Sequence, residues 1–221
     1  MFYVVGTPIG NLQDVTLRAL ETLRDVDVIA AEDTRVTKKL LSHFDISTPT
    51  ISYREQVHQR VANKILSLLK EGKNVALVTD AGTPGISDPG ERLVQVVRDA
   101  EYEIRVIPGV SAITAALSIS GGDVSQFLFT GFPPVKKGRE KFFEKIAQSN
   151  APVVIYESPH RLIKTLTNID KTFEYKPRIQ VFRELTKIFE EFVEGSPEEL
   201  IDFFIGSEKI RGEFVLVIFP E

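Results

Sequence analysis

Val75-Ala76-Leu77-Val78-Thr79-Asp80-Ala81-Gly82-Thr83-Pro84-Gly85-Ile86-Ser87-Asp88-Pro89-Gly90 is the stretch whose reading decides the fold. Its first four residues form an unbroken apolar run, the signature of a strand buried on both faces. The remainder is a long turn that ends where a helix-period segment, Glu91 to Ala100, begins. The plainer reading is a strand-to-helix connection with capping residues, and Asp88 is placed as the cap of that helix. Glycines and prolines that force sharp turns and leave the backbone open, set among aspartates and hydroxyl residues, fit a ligand-binding loop at the carboxyl end of a strand better.

Working outward, the same alternation repeats. Strands are expected at Tyr3–Val5, Val26–Ala31, Thr50–Ser52, Val75–Val78 and Ile104–Ile107. Helices are expected at Leu17–Leu23, Thr37–Phe44, Val61–Leu69, Glu91–Ala100 and Ala112–Ile119. Strand–helix alternation implies a mostly parallel sheet covered on both faces. Gly121-Gly122-Asp123 breaks the pattern, so residues 1–120 and 121–221 are read as two α/β domains. The second holds strands at Phe127–Thr130, Val153–Tyr156, Ile179–Phe182, Phe189–Val193 and Phe214–Phe219, with helices at Arg139–Ala147, Arg161–Ile169 and Pro197–Phe204. Alternating polarity in Phe189–Val193 marks an antiparallel strand and hence a mixed sheet, and Ser196 is the expected cap of the helix at Pro197.

Composition narrows the function classes. The 221 residues carry 27 Lys and Arg against 31 Asp and Glu, a formal net charge of −4, so contact with nucleic acid must come from local basic patches. There is no cysteine, which removes thiolate chemistry and fits a reducing, cytoplasmic setting. No apolar run is long enough to span a membrane, and the amino terminus enters a strand without a signal-peptide pattern. The three histidines, His43, His58 and His160, form no metal-ligand spacing, so no metal is expected.

Polar clusters follow the predicted strands on their C-terminal sides: Gly6-Thr7-Pro8-Ile9-Gly10-Asn11, Glu32-Asp33-Thr34-Arg35, Asp80 to Gly90, Pro108-Gly109-Val110-Ser111-Ala112, Glu157-Ser158-Pro159-His160-Arg161 and Arg183-Glu184-Leu185-Thr186-Lys187. In a parallel sheet these ends share one edge, where ligands bind. Each cluster alone has a structural reading: a tight turn, a cap at Asp33 or Thr34, a cap at Ser158. Arg183, Glu184 and Lys187 are harder to treat so, because three charges beside a buried strand need partners or a ligand. Lys136, Lys137, Arg139, Lys141 and Lys145 read either as a solvated helix face or as a contact to a phosphate backbone.

In this order the clusters resemble the tetrapyrrole methylase superfamily of S-adenosylmethionine-dependent methyltransferases. They are most similar to its branch that methylates a cytidine 2′-hydroxyl of 16S ribosomal RNA. The motifs are Val5 to Leu12, Ala31-Glu32-Asp33-Thr34-Arg35, Asp80 to Pro84 with Ile86 to Gly90, Ile107-Pro108-Gly109 with Ser111-Ala112, Tyr156 to Arg161, Arg183 to Lys187 and Gly212-Glu213-Phe214. Ring-methylating members resemble one another differently, with a glycine-rich first loop and Gly-Asp-Pro where this chain has Gly82-Thr83-Pro84.

The resemblance implies two α/β domains of the tetrapyrrole methylase type, a homodimer, and S-adenosylmethionine held in a cleft between the domains. By motif, cofactor contacts are expected from Ile9, Gly82, Thr83, Pro84, Ile86, Ser87, Ser111, Ala112, Tyr156, Glu157, Gly212, Glu213 and Phe214. The expected partner is 16S rRNA or the 30S subunit, with Arg35, Asp80, His160, Arg161 and Arg183 toward the RNA. Glu184 is the first candidate for general base, with Asp33 and Lys187 beside it. Three competing readings are a methylase of tetrapyrrole-like rings, a nicotinamide-dependent oxidoreductase and a non-catalytic ribosome-binding module. The absence of G-x-G-x-x-G argues against the oxidoreductase.

Overall fold

Val75–Val78 forms the centre of a five-stranded sheet in the computed structural model, which describes residues 1–53, 58–206 and 210–220. The chain divides into two compact units, Met1–Ser111 and Ala112–Glu221.

In the first unit the strands are β1 (Phe2–Val5), β2 (Val28–Ala31), β3 (Thr50–Ser52), β4 (Val75–Val78) and β5 (Ile104–Ile107), in the order β3-β2-β4-β1-β5. Every pairing is parallel. The helices are α1 (Leu17–Asp25), α2 (Thr34–His43), α3 (His58–Lys70) and α4 (Glu91–Asp99). Leu20 and Leu23 of α1 and Leu41 of α2 pack with Val5, Ile29, Ala31 and Val78 on one face of the sheet. Ile65 and Leu69 of α3 and Leu93 and Val97 of α4 pack with Phe2, Ala30, Val75 and Leu77 on the other. The β4 residues therefore feed both cores, as an unbroken apolar strand should. Loops leaving β1 and β2 run to one face, and the loop leaving β4 runs to the other. Ligands of such sheets bind where neighbouring strands send their connections to opposite faces.

The second unit begins with α5 (Ala112–Ser118), which packs on a strand of the second sheet, although the sequence reading keeps it with residues 1–120. The sheet comprises β6 (Leu128–Phe129), β7 (Val153–Glu157), β8 (Ile179–Arg183), β9 (Glu191–Gly195) and β10 (Phe214–Ile218), ordered β6-β7-β10-β8-β9. It is mixed: β6 and β7 are parallel and the other pairs antiparallel. Helices α6 (Arg139–Ala147), α7 (Leu162–Thr172) and α8 (Pro197–Gly206) bury Val153, Ile155, Ile179, Val181, Phe214, Leu216 and Ile218. The period of two sends the intervening residues to the opposite face, where α5 lies. Ser196 does cap α8, in a capping box: its amide donates to Glu199 Oε2 at 2.8 Å and its hydroxyl accepts from the Glu199 amide. Strand β9 starts two residues later than expected, because Ile188 and Phe189 project from the preceding loop rather than joining the ladder. Among the described residues, no helix is long and apolar enough to cross a membrane.

Candidate active site

The first unit brings four of the predicted clusters to the carboxyl edge of its sheet. Thr7 and Gly82 form an antiparallel bridge: the Thr7 amide donates to the Gly82 carbonyl at 2.9 Å, and the Gly82 amide donates back at 3.1 Å. The Thr7 hydroxyl donates to the Thr79 carbonyl at 3.1 Å. Ile9 is buried against Gly82, where an added Cβ would lie 3.5 Å from Ile9 Cγ2. The loops after β1 and β5 approach still more closely, since a Cβ on Gly6 would lie 2.7 Å from the Gly109 nitrogen. Beyond this base the β4–α4 loop stands open. Gly82 and Gly85 take positive φ, Ser87 does so at 62° without being glycine, and Ile86 is exposed. A cavity of about 330 Å³ borders Tyr53, Gly85, Ser87, Asp88 and Arg92.

Asp88 does not cap α4 as expected. The cap position is Gly90, at φ 149°, where a Cβ would lie 3.1 Å from the Gly85 nitrogen and 3.2 Å from Leu77 Cδ2. Close packing of the loop on β4 thus selects glycine and leaves the helix without a side-chain cap.

Two carboxylates tie the ends of β2 and β4 together, and a third caps α2. Glu32 Oε2 accepts from the Thr79 hydroxyl at 2.6 Å and the Asp80 amide at 3.3 Å. Asp80 Oδ1 accepts from the Asp33 amide at 3.0 Å. Asp33 caps α2, accepting from the Arg35 amide at 2.8 Å, and grips the exposed Arg35 guanidinium at 2.6 Å. That pairing raises the Arg35 pKa, chiefly through the hydrogen bond. Asp33 therefore combines the structural role open to it in sequence with an ion pair that aims Arg35.

In the second unit the ends of β7 and β8 and the start of β10 lie on one edge, since Phe214 pairs with both Glu157 and Arg183. Glu184 Oε1 accepts from Lys187 Nζ at 2.7 Å and from the Glu213 amide at 3.0 Å. Lys187 Nζ also reaches Glu213 Oε2 at 2.9 Å. Burial lowers the Lys187 pKa, but the hydrogen bonds and charges of Glu184 and Glu213 outweigh it and the net shift is upward. Lys187 is thus a fixed cation. The Glu184 carboxylate lies directly over Gly212, which has φ 92° and no room for a Cβ.

The neighbouring cluster is turned inward. Glu157 follows Val153 and Ile155 on the helix-facing side of β7, so its carboxylate lies fully buried beneath α7. It accepts from the Ser158 amide at 2.7 Å, the Thr165 hydroxyl at 2.5 Å and the Arg161 guanidinium at 2.8 Å. Arg161 also donates to Ser158 Oγ and the Pro133 carbonyl. Arg183 is largely buried and pairs with Glu191 at 3.1 Å. Phe214 points into the core, so only the backbone of this strand start faces the edge. His160 is exposed on a 3-10 turn, Pro159–Arg161. Ser111 ends the first unit and the half-buried Ala112 opens the second. Tyr156 is half-buried in an aromatic row, its ring centroid 5.0 Å from Phe129 and 5.5 Å from Phe132.

Arg139 is not part of a basic surface. It is buried, donating to Asn168, the Pro134 carbonyl and Thr165. Desolvation is the main reason its pKa falls, with Glu157 opposing and Arg161 adding to the fall. Two site features escape sequence reasoning. The buried hydroxyls of Thr130, at the end of β6, and Thr186 find no hydrogen-bond partner among the described residues.

Residues 1–201 match the family of tetrapyrrole (corrin/porphyrin) methylases. A protein of Synechocystis sp. named ribosomal RNA small subunit methyltransferase I is 46% identical over 99% of this chain and 78% of its own length. Its namesake in Thermotoga maritima is 44% identical over 97% of this chain and 96% of its own. Among solved structures, a cobalt precorrin-4 methyltransferase superposes with a TM-score of 0.74 at 16% identity, covering 99% of this chain and 94% of that one. A uroporphyrin-III C-methyltransferase of Thermus thermophilus, solved with S-adenosyl homocysteine, gives 0.68 at 16%, covering 99% and 96%. A family match over nine-tenths of the sequence, on the fold and edge loops described, makes this chain a member of the tetrapyrrole methylase family.

Proposed function

We propose that this protein transfers a methyl group from S-adenosylmethionine to the 2′-hydroxyl of a cytidine in 16S ribosomal RNA. The observation that carries the reading is near-full-length identity above 40% to proteins named ribosomal RNA small subunit methyltransferase I. Support comes also from the edge loops, whose exposed groups fit the cofactor. Ile86 and Ser87 are exposed and offer an apolar and a polar contact, on a loop whose base Gly82 fixes through its bridge to Thr7. Ile9, Ser111, Ala112, Tyr156 and the Gly212-Glu213-Phe214 backbone complete the proposed cofactor contacts. The Glu157 carboxylate acts from beneath, fixing the strand end.

When bound, S-adenosylmethionine supplies a methyl already activated on a sulfonium. The protein must align the two reactants and exclude water, and such positioning supplies roughly 7–11 kcal/mol of a barrier. Glu184 would take the hydroxyl proton as the 2′-oxygen accepts the methyl that the bound cofactor would supply, leaving S-adenosyl homocysteine. Lys187 steadies the developing oxyanion. Arg35, aimed by Asp33 and exposed, takes a phosphate, with His160 and Asp80 toward the RNA. Arg161 and Arg183 hold the edge in shape through Glu157 and Glu191. The protein works as a homodimer on the 30S subunit in the cytoplasm.

The test is methyl transfer from labelled cofactor to unmodified small subunits, followed by mapping of the modified nucleotide. Label on one ribose 2′-oxygen of 16S rRNA is the expected result. Absence of label in RNA, together with efficient transfer to a tetrapyrrole ring, overturns the reading.

A further inference from the structure

The loop Gly131-Phe132-Pro133-Pro134 holds an exposed aromatic ring unusually firmly. Gly131 turns the chain at φ 66°, and its carbonyl accepts from the Tyr156 amide at 3.1 Å. The next two carbonyls after Phe132 are each bonded by a different arginine. Pro133 accepts from Arg161 at 3.1 Å and Pro134 from Arg139 at 3.0 Å. Both arginines are anchored on the single buried carboxylate of Glu157, Arg161 directly at 2.8 Å and Arg139 through the Thr165 hydroxyl at 2.7 Å. Buried charges of this kind are costly unless fully bonded. Their shared effect is to fix the backbone on the C-terminal side of Phe132.

The Phe132 ring is nonetheless half exposed, at 50%. It rests against Tyr156 at a 58° tilt, with the Arg161 guanidinium 5.9 Å from its centroid. Val135, Lys136 and Lys137 follow it on the surface, and His160 is exposed nearby in sequence to Arg161. A rigid aromatic ring, packed on Tyr156 yet half exposed, with exposed lysines shortly after it in the chain, matches a nucleobase with flanking phosphates. A second copy of this chain fits poorly, because a contact centred on Phe132 would bring like-charged lysines together.

We propose that Phe132 is a stacking platform for a base of the RNA substrate, with Lys136 and Lys137 on the adjoining phosphates. The platform rests on the RNA-methylating function proposed above. It is a substrate-binding residue of the second unit, separate from the Glu184–Lys187 pair.

Phe132→Ala, Phe132→Leu and Phe132→Trp test it. Binding to unmodified small subunits is measured without turnover, then KM and kcat for methyl transfer, titration of S-adenosyl homocysteine, and sedimentation. Alanine and leucine are expected to weaken subunit binding and raise KM by about 5- to 150-fold, the range for loss of one stacked base. Tryptophan should retain wild-type binding. Cofactor affinity and oligomeric state should be unchanged in all three, which also certifies their folding. Alanine binding as well as wild type, leucine substituting fully for phenylalanine, or a changed oligomeric state each overturns the platform. If wild type binds subunits through Phe132 yet methylates no RNA, the functional reading falls and the platform stands. If wild type methylates RNA with binding independent of Phe132, the platform alone falls. If wild type does not bind subunits, both fall.

Discussion

Glu184 has φ 53° and Thr186 φ 68°, and both belong to the charged loop after β8. Left-handed backbone costs a non-glycine residue about 1–2 kcal/mol, and such cost concentrates where geometry serves a site. Here it turns the Glu184 carboxylate back over Gly212, between the Lys187 ammonium and the Glu213 amide. Gly212 is consequently required twice, for its φ of 92° and for the space above its Cα, where a Cβ would lie 2.4 Å from Glu184 Oε1. The obstructing atom is the end of a flexible side chain, so Gly212→Ala should fold, less stable by about 1–2 kcal/mol, while displacing the carboxylate. Its methyl-transfer rate should fall as far as that of Glu184→Gln, by about 10²–10⁴ if Glu184 is the general base. Urea denaturation and single-turnover kinetics check both effects. Full activity in Gly212→Ala would show that the carboxylate position is immaterial.

At the scale of elements, the first site edge depends on loops that touch through backbone. Gly6 follows β1 and Gly109 follows β5, strands paired along their whole length. A Cβ on Gly6 meets the Gly109 nitrogen at 2.7 Å and its Cα at 2.8 Å, so Gly6→Ala must push the β1 and β5 loops apart. That should cost about 1–3 kcal/mol, the range for overpacking, and weaken cofactor binding as well. Gly72→Ala is the control: its Cβ meets nothing within 4 Å, so only the strain of φ 80° remains and cofactor binding should be intact. Thermal denaturation and cofactor titration distinguish the two variants. The Gly6–Gly109 approach joins residues far apart in sequence and left no mark that a pattern could show. What was legible rests on local periodicity. Thr50–Ser52, Val75–Val78, Ile104–Ile107 and Arg139–Ala147 appear with the bounds expected, because short buried runs and apolar spacing are local properties. The polar clusters of the first unit were legible for the same reason, since a parallel sheet sends every strand end to one edge; in the second unit β7 and β8 share an edge because both run antiparallel to β10. Side-chain direction was not. Arg139 looked like a member of a basic face yet is buried by Glu157 and Thr165, and Phe132 lies in a Gly-Pro loop whose exposure depends on two distant arginines. Asp88 lost the cap to Gly90 through packing on Leu77.

At the scale of the whole molecule, the proposed substrate and the protein carry charge of the same sign. A formal net charge of −4 gives no general attraction to a polyanion, so RNA affinity must come from a few positions where cations face solvent. Arg161, Arg183 and Arg139 are committed to carboxylates, hydroxyls and carbonyls of the protein itself. Lys136 and Lys137, just beyond the Phe132 loop, are exposed to solvent, as their place in the sequence suggests. Each phosphate neutralised on a single strand releases counterions and adds about 0.7 to the slope of log affinity against log salt. Replacing both lysines by alanine should therefore reduce that slope by about 0.7 for each phosphate no longer neutralised and weaken binding across RNA sequences alike, while cofactor binding stays unchanged. The measurement is subunit affinity over a range of salt concentrations for wild type and the double variant. Parallel lines would place the phosphate contacts elsewhere; a shallower line assigns them to the segment that follows the aromatic loop, where a chain without overall positive charge can still hold RNA.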